Sequence, residues 1–136
     1  MISKRTKEQY ERWLNKAAHL GQLSDVPSHK IGAILVHNKG IVGMGFNKKK
    51  THPLQSELNA LREEGKRHRS YLHAELDCLT SMRTVPNGAT LFIGRFELNG
   101  KIGMCRPCPA CMGHIKHTGI REIVYHTPHG FASEHL

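Results

Sequence analysis

Apolar side chains at Tyr10, Trp13, Leu14, Ala17 and Ala18 recur at i, i+3, i+4, i+7 and i+8, the spacing that lays one apolar stripe along a helix. The pattern predicts an amphipathic helix over residues 6–20, with Thr6 and Gln9 as a capping box and Gly21 as its C-terminal stop. The period then changes. IGAILVH and IVGMGF are β-rich runs separated by Asn38, Lys39 and Gly40, which predicts a hairpin with Asn47 just beyond its second strand. Residues 48–70 are polar and basic, yet Pro53 followed by Leu54, Leu58 and Leu61, with Gly65 beyond, predicts a short helix set into a loop. Leu72, Leu76, Leu79 and Met82 mark a second main helix that begins near His73. A strand, TLFIGRFEL, follows, and Asn99 with Gly100 suggests that it folds back through KIGM as a β-ribbon. A third helix after CRPCPAC ends near Gly119, and a short strand, EIVYH, leaves only a polar tail.

Helix, strand, strand, helix, strand, helix, strand is the order of a three-layer α/β/α sandwich with a central mixed β-sheet. The opening hairpin must be antiparallel, and two consecutive βαβ units at the end imply parallel neighbours with right-handed crossovers. A chain of 136 residues suits one domain, 1–136, with one core. No internal repeat, low-complexity tract or interdomain linker interrupts it.

The N-terminus, MISKRTKEQYERW, lacks the apolar stretch of a secretory signal, and the longest apolar run, IGAILV, is far short of a membrane span. A cytoplasmic protein with reduced thiols is expected. Four cysteines, three of them within CRPCPAC, are then better explained by metal binding or catalysis than by disulfides. Twenty Lys and Arg against 11 Asp and Glu give a net charge of +9, which favours anionic partners such as nucleotides or nucleic acid. The lack of an aromatic-interleaved basic motif makes nucleic acid the less favoured of the two.

His73, Ala74 and Glu75 open one predicted helix, and Pro107, Cys108, Pro109, Ala110 and Cys111 open another. Cysteines three apart in a first turn share a face, where the helix dipole and a bound cation favour their thiolates. His73 and Glu75 are two apart, so they converge only if a metal lies off the helix end. The spacing therefore predicts a metal wedged between two helix N-termini. Two thiolates and a neutral imidazole balance the charge of Zn²⁺ and leave a fourth tetrahedral position open to water, the form of a catalytic site. Glu75, the carboxylate that is not a ligand, is placed to carry protons.

HAE followed by PCPAC fits the H-x-E…P-C-x-x-C pattern of the zinc nucleobase deaminases. From about residue 31 to residue 126 the chain resembles the cytidine and deoxycytidylate deaminase superfamily. The KIGAILV strand, GFN, HAE, PCPAC and the closing GI and IVY are most similar to its deoxycytidylate branch. The resemblance implies the three-layer fold, catalytic zinc on His73, Cys108 and Cys111, Glu75 as proton shuttle, and homo-oligomers whose neighbouring subunits border the site. It also implies that Asn47 contacts the substrate's sugar and that backbone at Ala74 helps to hold the base. Two departures stand out: the short C-terminal end is not expected to supply the fifth strand of longer members, and GFN runs on into KKKTHP.

Blander readings stand beside these. Cys105 could complete a closed structural zinc clip with the same three ligands, although such a site has no use for Glu75. Cys78 reads as core packing, and Asn47 could merely end a strand with a turn hydrogen bond. Lys48, Lys49, Lys50 and His52 are either a solvated loop or, as a set beside Asn47, a phosphate contact. Arg67, His68 and Arg69 form a second such set. The leading expectation is deamination of a small pyrimidine nucleotide, dCMP to dUMP plus ammonia. The alternatives are a free cytidine or deoxycytidine deaminase and a base deaminase of single-stranded DNA, RNA or tRNA.

Overall fold

Ser3 starts the first helix earlier than its apolar stripe implies. In the computed structural model, which describes residues 2–27, 29–50, 52–60, 71–96 and 104–136, Ser3 Oγ accepts from the Thr6 N–H at 3.1 Å and caps α1, Lys4–Gly21. The expected box at Thr6 gives way to the serine three residues upstream because Ser3 already satisfies the orphan N–H that Thr6 carries. The helix also runs through Gly21 to a cap at Gln22. What Gly21 provides is proximity: a Cβ there would stand 3.0 Å from the Gly32 nitrogen.

The hairpin of β1, Lys30–His37, and β2, Gly40–Phe46, forms as expected. Asn38 and Lys39 both take positive φ, 52° and 65°, as a two-residue type I′ turn requires. The elements that follow are α2, Pro53–Ala60; α3, Ala74–Thr80; β3, Thr90–Phe96; α4, Pro109–Ile115; and β4, Glu122–Thr127. Leu61, Gly65, Asn99, Gly100 and residues 101–103 of the proposed β-ribbon lie outside the described residues, and Met104, the last residue of KIGM, is exposed and in no strand.

The sheet is mixed, with strand order β2-β1-β3-β4-β5, where β5 is Gly130–His135. Only one of the two expected parallel pairs is a pair of neighbours. β3 lies parallel to β4, but its other flank pairs antiparallel with β1, from Lys30 opposite Phe96 to Val36 opposite Thr90. The crossover through α3 therefore skips a strand. The physical reason lies in β1, whose consecutive residues Ala33, Ile34 and Leu35 are all buried, a run that needs cover on both faces and hence a central place. β2 keeps Ile41, Val42 and Met44 exposed and takes the edge.

β5 corrects the expectation of a polar tail that supplies no fifth strand. Pro128 and His129 turn the chain, Gly130 takes a φ of 134°, and β5 runs back antiparallel to β4 with Phe131 opposite His126. The residues of GFASEH look too polar for a strand, but as an edge only one flank needs pairing, and Phe131 and Ala132 reach the core on opposite faces, Phe131 5.9 Å from the Tyr10 ring.

The three layers follow. α1 covers one face of the sheet through Leu14 and Ala17 against Ile34, Phe92 and Val124. α3 and α4 cover the other with Cys78, Leu79, Met112 and Ile115 against Leu35, Leu91, Ile93 and Ile123. Glycines set how closely the helices lie. Gly32 and Gly94 are cross-strand partners, and a Cβ on Gly94 would stand 2.5 Å from the Leu14 carbonyl oxygen, so α1 rests its backbone directly on them. On the opposite face a Cβ on Gly45 would stand 2.8 Å from the Ala74 carbonyl oxygen, which sets the height of α3 and the residue before it. Among the described residues no helix is long and apolar enough to cross a membrane.

Candidate active site

His73 and Cys108 occupy the same place in two different helices. Each is the N-cap residue, of α3 and α4 respectively, with extended backbone, and neither side chain caps its own helix. Both are thereby free of the helical surface and turn off its end, while Pro109 at the start of α4 pre-sets the helical turn that brings Cys111 back beneath Cys108. The ligating atoms of His73, Cys108 and Cys111 all lie within 4.8 Å of one another, with His73 Nδ1 3.3 Å from Cys111 Sγ.

Several contacts hold His73 where it is. Leu72 bridges to Lys48, each donating its N–H to the other's carbonyl at 3.0 Å, which ties the approach to α3 against the end of β2. The His73 N–H donates to Gln55 Oε1 at 3.0 Å. Asp77, one turn into α3, accepts from the Phe46 N–H at 3.0 Å and from Lys48 Nζ at 3.0 Å, fixing the helix to the sheet.

The donor set fits zinc. Hydrogen bonding with Cys108, then burial, then the Glu75 charge push the Cys111 thiol up, so two thiolates at this spot call for a cation between them. Two soft sulfurs and an imidazole are the ligands of tetrahedral Zn²⁺. Cys105, the candidate fourth ligand, points elsewhere: its thiol donates to the Ile93 carbonyl at 3.1 Å, burial raises it to about 12, and it is not among the gathered ligand atoms.

Beside the cluster lies a cavity of about 280 Å³ lined by Glu75, Ala74, Asn47 and Ile31, with His29, Arg95, Met104 and Arg106 also in its wall. That volume is at the small end of ligand pockets. Glu75 is only 5% exposed, and burial pushes its carboxyl up while His73 draws it back down. A carboxyl so placed takes and returns a proton readily. Asn47 both lines the cavity and straps the sheet: its Oδ1 accepts from the Ile31 N–H at 3.0 Å and its Nδ2 donates to the His29 carbonyl at 2.9 Å. One amide hydrogen and one lone pair remain beyond those two bonds.

The basic loop does not join this group. Lys48 pairs with Asp77 and lies 4.7 Å over the Phe46 ring. Lys49 is exposed, with its backbone N–H on Asp25, and Lys50 is exposed and outside the cavity wall. His52 accepts from the Leu54 N–H at the head of α2. Arg67, His68 and Arg69 lie outside the described residues, and Cys78 is buried in the core.

Sequence reasoning missed four residues that the fold brings here: Gln55, His29, Arg95 and Arg106. Arg95 was hidden in the alternation of TLFIGRFEL. Arg106 is oriented by the unforeseen β5, where Glu134 accepts from its Nε and Nη2 at 2.6 and 3.0 Å and from the Tyr125 hydroxyl at 2.8 Å. A lone arginine inside CRPC was the available signal for it. Gln55 is one of several polar residues in PLQSELNA and carried no sign in the sequence.

Residues 7–127 match the family described as the cytidine and deoxycytidylate deaminase zinc-binding region. An uncharacterised deaminase of Aliivibrio fischeri is 28% identical over 123 residues, covering 90% of this chain and 73% of that protein. The fold is similar to that of the dCMP deaminase of cyanophage S-TIM5, at a TM-score of 0.59 and 23% identity over 93% of this chain and 86% of the other; that enzyme has also been solved with dCMP and dUMP. A cytidine deaminase from Burkholderia pseudomallei superposes at a TM-score of 0.55 and 19% identity, covering 98% of this chain and 93% of that one.

Proposed function

The chain belongs to the cytidine and deoxycytidylate deaminase family and is a hydrolytic deaminase, and from that premise we propose that it converts a cytosine nucleotide, best read as dCMP, to dUMP and ammonia, with zinc on His73, Cys108 and Cys111. The observation that carries this reading is the meeting of those three ligand atoms within 4.8 Å beside a buried carboxyl, Glu75, at a cavity with two arginines in its wall.

Zinc bound there supplies Lewis acidity that makes water a competent nucleophile near neutral pH. Glu75 accepts a proton from the attacking water and passes it to the ring nitrogen. It then takes the second proton, from the hydroxyl on the attacked ring carbon, and delivers it to the amino group as the carbonyl forms and the C–N bond breaks, so that water and cytosine become uracil and ammonia. Asn47 offers its remaining amide hydrogen and lone pair to the sugar. Backbone at Ala74 borders the base. For the phosphate, Arg106 and Arg95 are better placed than Lys48 or Lys50, because they line the cavity and the lysines do not. Cyanophage dCMP deaminase, a neighbour in fold, is known with dCMP and dUMP bound, which supports the same substrate class. A homo-oligomer belongs to the same reading, supported by Ile41, Val42 and Met44 exposed on the edge strand β2.

One assay tests the substrate: purified protein offered cytidine, deoxycytidine, dCMP, dCTP, adenosine and single-stranded oligonucleotides in parallel, with ammonia release as readout. Turnover is expected to be best with dCMP. Arg106→Ala should raise KM for dCMP about tenfold to a hundredfold, the worth of one charged hydrogen bond, and leave deoxycytidine nearly untouched. Charge reversal at Lys48, Lys50 or Arg69 in the same assay reads whether the loop shares the phosphate. Equal rates on deoxycytidine and dCMP, unmoved by these changes, would make it a nucleoside enzyme. Turnover of oligonucleotides alone, with a salt dependence flattened by them, would make it a polynucleotide deaminase.

A further inference from the structure

α2 contributes no residue to the family's HAE and PCPAC motifs, yet it brings Gln55, a polar side chain with 0% exposure, up against the metal cluster. The surroundings are apolar: Leu54 and Leu58 of α2 pack against Leu72, Leu76 and Cys111. A leucine or methionine would fill such a position without desolvating an amide, so a glutamine there has to be held by hydrogen bonds. Its amide meets two residues of the metal cluster, His73 and Cys111. Oε1 accepts from the His73 N–H at 3.0 Å, an N–H that α3 leaves without a helical partner because His73 is its N-cap. With Oε1 taken by His73, the other end of the amide is left for Cys111, which packs against α2 and whose thiol Gln55 draws down; toward a thiolate only its NH₂ group can be the donor.

We propose that Gln55 is a positioning residue of the metal centre, fixing the backbone that carries His73 while donating an N–H to the Cys111 sulfur. The two effects act together. Anchoring the His73 backbone from α2 orients the imidazole toward the sulfurs of α4, so three separate helices define one ligand geometry. The N–H on Cys111 Sγ withdraws charge from that sulfur, and outer partners of this kind set how tightly and how electron-richly ligands hold a metal. The inference rests on the metal reading given above.

Gln55→Met tests it by removing both hydrogen bonds at nearly constant volume. Zinc affinity, read by competition with a chromophoric chelator, is expected to fall about tenfold to a hundredfold. The sulfur-to-cobalt charge-transfer band of the Co²⁺-loaded protein should shift, with far-ultraviolet circular dichroism unchanged. kcat should fall more than KM rises. An affinity within about twofold of the parent with an unshifted band would reduce Gln55 to a packing residue, whatever happened to the melting temperature. If Gln55→Met does not fold, Gln55→Glu at about pH 9.5 keeps the acceptor for His73 and offers no donor to Cys111. The same band shift is then expected, and its absence overturns the proposal. A parent protein that binds neither zinc nor cobalt would instead overturn the metal reading itself, and this one with it.

Discussion

The two faces of the central sheet use their buried polar groups differently. Under α1 the contacts are apolar and aromatic: Leu14, Ala17, Ile34, Phe92 and Val124, ringed by Tyr10, Trp13 and Phe131, with Tyr10 edge-on to Phe92 at 5.5 Å. A polar atom that belongs to this face, the Tyr10 hydroxyl, donates to Glu122 at 2.6 Å. On the other face Glu75 and Gln55 are buried among Leu72, Leu76 and Cys111. Burying a carboxyl and an amide costs stability that hydrogen bonds only offset. Both faces bury a carboxyl, and the difference lies in its partner: under α1 Glu122 is held by the Tyr10 hydroxyl, a purely structural use, whereas under α3 Glu75 lines the cavity beside the His73, Cys108 and Cys111 cluster.

The largest effect that would break this contrast belongs to Glu75. Glu75→Gln keeps the shape and removes the proposed proton carrier, so kcat should fall by about 10²- to 10⁴-fold while zinc content and melting temperature stay at parental values. Activity within about tenfold of the parent would assign the proton transfer to another group. Leu14→Ala is its counterpart across the sheet. It should cost about 2–5 kcal/mol in urea unfolding and leave kcat per folded molecule unchanged, and a loss of specific activity would show that the faces are coupled.

A subtler pair uses the glycines. Ala at position 94 would press on α1, and Ala at position 45 on α3, each at a cost of about 1–3 kcal/mol. Gly94→Ala should change stability alone, whereas Gly45→Ala should also lower kcat, because the Ala74 carbonyl it displaces is next to His73. Equal kinetic effects from the two would erase the distinction between the faces.

The smallest effect is in acid. Arg106, then Tyr125, pull the half-exposed Glu134 carboxyl from 4.5 down to about 2. Its stabilisation is therefore complete above about pH 4.5 and is lost as pH falls toward 2. For a solvent-screened pair this is at most about 1 kcal/mol and shrinks in high salt. Urea unfolding of the parent and Glu134→Gln should differ slightly near neutral pH and converge in acid; a gap that widens in acid would contradict the sign.

Local chemistry alone carried much of the site. That His73, Cys108 and Cys111 gather, with Glu75 in the adjoining cavity wall, was legible because residue type and spacing carry a ligand pattern and a helix start lets its first side chains turn off the end. The helix stripe of Tyr10, Trp13, Leu14 and Ala17 and the Asn38–Lys39 turn were legible for the same reason: each is a short-range pattern that the backbone period makes visible.

What only the tertiary structure decided involves residues whose meaning depends on a distant partner. Nothing near Gly32 or Gly94 in the chain says that a helix backbone will rest on both. β5 exists because β4 offers an unpaired edge, and through Glu134 it orients Arg106. Lys48 reads in the sequence as part of a phosphate contact, and the fold turns it onto Asp77, 29 residues away, outside the cavity wall. Gln55 was one polar residue in a short helix until that helix packed on Cys111. Side-chain type and spacing set what a residue can do, but which neighbour it meets depends on how sheet and helices close in space, and no local period encodes that.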